Sequence, residues 1–191
     1  MNMRIVQAGI AGGIAMFMWG FVSHMVIGVG SHGMKYMPND AQVVAAMKAN
    51  MPESGIYFVP GLDMTREPTA EEWAAAEQKA AAGPTAFVVY NTSGMGLMTP
   101  AQLGGEFASN VLGALVVAFI LSWSAPGIGR RTMIGGLIGL AGWLSIDVSY
   151  WNWYRFPSAF IVDEMIEQVV GWLLTGLVIA LVLPKRSSTL S

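Results

Sequence analysis

Residues 5–29 read IVQAGIAGGIAMFMWGFVSHMVIGV, a run without a single lysine, arginine, aspartate or glutamate. Crossing the hydrocarbon of a bilayer takes about 20 mostly apolar residues in a helix. The stretch therefore predicts a membrane-spanning helix from Ile5 to Val29. Arg4 just before it imitates the charged start of a secretory signal. The apolar run is longer than the roughly 7–15 residues of a signal core, and no small-x-small cleavage site follows, so a retained helix is expected. Three further runs have spanning length: Leu103–Trp123, Thr132–Trp151 and Phe160–Leu183.

Composition agrees. Of 191 residues, 54% are hydrophobic and 12% charged, against about 25% charged in soluble domains. The absence of cysteine excludes disulfides, thiolate metal sites and cysteine nucleophiles. The ten lysines and arginines form no basic patch, so no nucleic-acid partner is expected. The patterns GxSxG, HExxH, the P-loop and the dinucleotide fingerprint are all missing.

Charge along the chain predicts how it is threaded. Arg4, Arg130, Arg131, Lys185 and Arg186 fall at the N-terminus, in the SAPGIGRR connection and at the C-terminus, with no acid beside them. The positive-inside rule puts those parts in the cytoplasm of a multi-pass plasma (inner) membrane protein and residues 30–102 outside. The expected organisation is residues 1–29 as the cytoplasmic end and first helix, 30–102 as an extracytoplasmic cap, and 103–191 as helices two to four with a cytoplasmic tail.

The inserted segment carries its own signals. Asn39 or Asp40 caps a helix over DAQVVAAMKANM, and Thr69 with Glu72 forms a capping box for a second helix that ends at Gly83. GIYFVP and TAFVVYN read as strands, which a helical connection would allow to pair in parallel. Thr99, Pro100 and Gln102 mark another helix start. The fold class expected is mainly α: a four-helix transmembrane bundle with a small α+β extracytoplasmic cap between helices one and two.

Polar residues inside the spans carry the functional question. At about 100° per residue, His24 shares a face with Gly9, Gly13 and Gly20, Glu106 with Asn110 and Gly113, and Glu164 with Glu167, Gln168, Gly171 and Thr175. In the third span Gly135, Gly139 and Gly142 form one small stripe, and Asp147 lies on the adjoining face with Gly136 and Trp143. An ionisable group in hydrocarbon usually faces the bundle interior and a partner. His24, Glu106, Asp147, Glu164 and Glu167 thus form a candidate metal or proton site, with a divalent cation as the candidate cofactor. The competing reading is helix-end solvation, with Asp163, Glu164 and Glu167 favoured by the dipole of an early helical turn. His32, past the first helix, reads as a solvated loop residue. Methionines near the two histidines suit Cu(I) only weakly, since methionine also fills apolar gaps.

Three functions follow, in order. Glycine-lined helices and the aromatic stretch YWNWYRFPSAF favour a protein that acts by association in the lipid bilayer, as a homo-oligomer or a subunit beside another membrane protein. The alternative is a cation- or proton-binding or transport protein built on the His–carboxylate cluster. A metal-dependent membrane enzyme comes third.

Overall fold

Asn2 accepts a hydrogen bond from the Arg4 backbone N–H at 3.1 Å and starts helix α1, Met3–Val22. In the computed structural model the described residues are 2–124 and 127–183. Lys185, Arg186 and the polar tail RSSTLS lie outside them. After α1 the chain forms a π-helical turn, Ser23–Ile27, closed by Gly28 at φ +82°. Then follow α2 (Asp40–Asn50), β1 (Gly55–Val59), α3 (Ala70–Ala82), β2 (Ala86–Tyr90), α4 (Pro100–Trp123), α5 (Ile128–Ser145), α6 (Asp147–Tyr154) and α7 (Ser158–Val182). The fold is mainly helical, and four of its segments are long and apolar enough to cross a membrane: Met3–Ile27, Pro100–Trp123, Ile128–Tyr154 and Ser158–Val182.

Two compact units result, one made of Met1–Met34 and Met98–Ser191, the other of Lys35–Leu97. In the first, the long helices pack in the order α4, α1, α7, α5, with α4 and α5 barely touching. A buried core of Ala8, Ala114, Val117, Ala118, Leu121 and Ile179 joins them toward the start of α1 and the end of α7. Close approach depends on glycine. A Cβ at Gly13 would lie 2.5 Å from the Val111 Cα, and one at Gly9 2.8 Å from the Leu115 Cα, so α1 meets α4 backbone to backbone. On α5, a Cβ at Gly135 or Gly139 would collide with the Trp172 or Gln168 carbonyl of α7. The spaces at Gly9, Gly13, Gly135 and Gly139 are thus filled by this chain's own helices, whereas Gly142 meets nothing within 4 Å.

The third span is not one straight helix. Ile146, at φ −110° and ψ −61°, separates α5 from α6. No proline lies there. Ser145 and Ser149 hydroxyls instead donate to the Gly142 and Ser145 carbonyls, and such back-bonding bends helices. The fourth helix starts at Ser158 with no acid in its first turn. Asp163, Glu164 and Glu167 therefore sit beyond the reach of the helix dipole, which fades within the first turn.

In the second unit the α3 capping signal is met, whereas Asn39 at the start of α2 makes no side-chain cap bond. Thr69 and Glu72 form the capping box of α3, with the Thr69 N–H donating to Glu72 Oε2 at 2.8 Å. Its two strands, however, pair antiparallel: Gly55 stands opposite Tyr90, Phe58 opposite Phe87 and Val59 opposite Ala86. The end of β1 thus lies beside the start of β2, and α3 is an excursion between neighbouring points rather than a crossover. This register sets Phe58 against Phe87 with ring centroids 5.2 Å apart, the kind of cross-strand pair that stabilises a short sheet.

Candidate functional site

The end of α1 presents one continuous face at spacings of four residues: Met16, Gly20 and His24 in one row, Phe17, Phe21 and Met25 in the next. Beyond Val22 the helix widens into its π turn, a local expansion that recurs at functional sites. Within it the His24 ring donates from Nδ1 to the Val29 carbonyl at 2.8 Å. Because a carbonyl only accepts, the proton of the neutral ring sits on Nδ1. Nε2 is left as the reactive nitrogen, 4.0 Å from Glu167 Oε1. That distance is too long for a direct hydrogen bond. Gly30, at φ +90°, passes so close that a Cβ there would lie 3.2 Å from the imidazole.

Helices α4 and α7 supply the other walls. Glu106 and Asn110 lie one turn apart on α4, and Glu164, Glu167, Gln168 and Trp172 line the cavity from α7. The space is an open cleft of about 600 Å³, within the roughly 300–1,000 Å³ of small-molecule sites. Trp19 and Trp172 brace this wall: Trp19 Nε1 donates to the Glu167 carbonyl and Trp172 Nε1 to Gln168 Oε1, both at 3.2 Å. Glu167 Oε2 is fully buried and accepts no hydrogen bond among the described residues. Three carboxylates face one imidazole here, and neither lysine nor arginine lines the space.

Four of the five residues singled out from sequence therefore border one cavity: His24, Glu106, Glu164 and Glu167. The fifth, Asp147, opens α6 and is not in the lining. Among the described residues no three histidine, aspartate or glutamate side chains converge to hold one metal ion.

His32 is an exposed loop residue, as expected, but it is not merely solvated. Its Nδ1 donates to the Asp163 carboxylate at 2.9 Å, and Asp163 Oδ2 also accepts the backbone N–H groups of Gly30 at 2.9 Å and His32 at 3.2 Å. Asp163 is 4% exposed. A loop histidine and an acid 131 positions apart leave no periodic trace, which is why the sequence hid this pair. The aromatic wall was legible in principle, since Phe17, Phe21 and Met25 recur at the same spacing as Gly20 and His24. No family model, curated protein or solved structure matches the chain, so its function is argued from these side chains alone.

Proposed function

We propose that this chain is a multi-pass membrane protein that binds positive charge, as protons or cations, in the cavity between α1, α4 and α7. The observation that carries this reading is the imbalance of that cavity: three carboxylates and one imidazole, with no lysine or arginine in the lining. Such a concentration of negative charge attracts a cation. His24 contributes its Nε2, 4.0 Å from Glu167 Oε1.

The membrane setting rests on length, composition and charge. Leu112, Val116, Leu137 and Leu181 turn outward from the spanning helices and are each more than half exposed, an arrangement suited to lipid. By the positive-inside rule, Arg4, Arg130 and Arg131 support a cytoplasmic N-terminus and α4–α5 connection, with Lys35–Leu97 outside. The cysteine-free chain permits a clean test of topology. A membrane-impermeant maleimide applied to whole cells should label Ser54→Cys and spare Gly129→Cys; the reverse pattern would overturn the orientation. For binding, cations added to weakly buffered purified protein should release protons, and Glu167→Gln should suppress the release. Absence of both proton release and cation binding would sink the reading.

A further inference from the structure

The cavity's walls narrow the class of cation. An inorganic divalent ion is held by several oxygen or nitrogen ligands within about 2.0–2.6 Å, and no three ionisable side chains converge in that way among the described residues. The space of about 600 Å³ far exceeds what a bare ion fills. Besides the amides of Asn110 and Gln168, most of its remaining lining is apolar, aromatic or thioether, with Met16, Phe17, Phe21, Met25, Leu103 and Trp172. Aromatic faces attract weakly hydrated cations, most strongly where water is excluded, and methionine adapts to irregular apolar shapes. A strongly hydrated metal gains little from such walls. A cation carrying bulky apolar groups gains from both the walls and the carboxylates.

Building on the cation-binding reading above, we propose that the cavity between α1, α4 and α7 is a site for an amphipathic organic cation, such as a quaternary ammonium or arylphosphonium. Its charge sits among Glu106, Glu164 and Glu167, and its apolar groups lie against Phe17, Phe21 and Trp172. Glu167 provides a counter-charge through Oε1, which lies 4.0 Å from His24 Nε2, while its Oε2 is buried.

The experiment measures equilibrium binding of radiolabelled tetraphenylphosphonium to the full-length protein in detergent, beside Mn²⁺ and Ca²⁺ alone. Saturable binding is expected, weakened at least tenfold by Glu167→Gln and severalfold by Phe21→Leu, and unchanged by Glu77→Gln on the exposed face of α3. Glu106→Gln serves as a second charge-removing variant should Glu167→Gln fail to fold. Binding of Mn²⁺ or Ca²⁺ that depends on Glu167, with none of tetraphenylphosphonium, would overturn this inference and leave the cation-binding reading standing. Tetraphenylphosphonium uptake indifferent to both glutamate variants would also overturn it, as mere partition into apolar surface. Neither binding nor proton release would overturn both.

Discussion

His32 Nδ1 and the Asp163 carboxylate lie 2.9 Å apart, joining the segment that leaves α1 to the second turn of α7. The same carboxylate gathers the Gly30 and His32 amides, so one buried acid satisfies three donors. Beside it, a Cβ at Gly33 would collide with Phe160. The segment from Gly28 to Gly33 is therefore fixed to α7, and with it the Val29 carbonyl that orients His24. Asp163 supports the cavity without lining it.

Unequal costs follow for the two partners. Asp163→Ala leaves the buried Gly30 N–H without its acceptor and removes two further bonds, a loss of about 3 kcal/mol on the scale of charged hydrogen bonds. His32→Ala removes one bond from a ring that is 64% exposed at the side chain, about 1 kcal/mol. Thermal unfolding in detergent should rank Asp163→Ala well below His32→Ala. Equal losses would mean that the amide contacts contribute nothing.

Glycine at the α1–α4 contact can be tested against glycine in open space. A methyl group at Gly13 must push the Val111 backbone away, whereas one at Gly142 meets nothing within 4 Å. Gly13→Ala should cost about 1–3 kcal/mol by overpacking. Gly142→Ala should be neutral or stabilise by up to about 1 kcal/mol through helix propensity. Comparing melting temperatures of the two variants checks the packing order of the helices directly.

The same contrast shows what the sequence could and could not reveal. Spanning length and capping boxes are local properties, and Thr69 with Glu72 or Thr99 with Gln102 specify helix starts from neighbouring residues alone. Which residues share a helix face is also local, so His24, Glu106, Glu164 and Glu167 were legible as polar members of helix faces, although His24 and Glu106 stay exposed. Which faces meet is not local. Asp147 shares that polarity, yet the break at Ile146 puts it on a separate helix outside the cavity lining. Strand direction was equally hidden, because the connection through α3 permits either pairing. The His32–Asp163 bond depends on a loop path that no periodicity encodes.

Acid should loosen the start of α3. Arg66 pairs with both Glu72 oxygens, and this, followed by the Thr69 amide, holds the Glu72 carboxyl below its ordinary value. A carboxyl with a lowered folded pKa stabilises above its unfolded value of about 4.3, and the contribution disappears as pH falls through the folded pKa. Protection of the Thr69 and Glu72 amides against exchange, relative to the intrinsic rate at each pH, should therefore fall below about pH 4, and Glu72→Gln should remove that dependence. Protection that does not change with pH in the unsubstituted protein would show that the pair does not form in solution.

Arg130 and Arg131 carry equal weight in the charge argument for topology but sit differently in the fold. Arg130 is exposed, while Arg131 is 4% exposed, with Nη1 3.5 Å from the Leu183 carbonyl just past the end of α7. A cation beside the last carbonyls of a helix compensates both their unpaired acceptors and the negative end of the dipole. Arg131→Leu should thus lower stability by about 1.5–3 kcal/mol, whereas Arg130→Leu should stay within about 0.5 kcal/mol of the parent. Both variants remove the same charge from the connection, so maleimide labelling at Ser54→Cys should respond to them alike. Melting temperatures that also fall together would mean Arg131 acts only as one more positive charge, and the helix-end role argued here would be wrong.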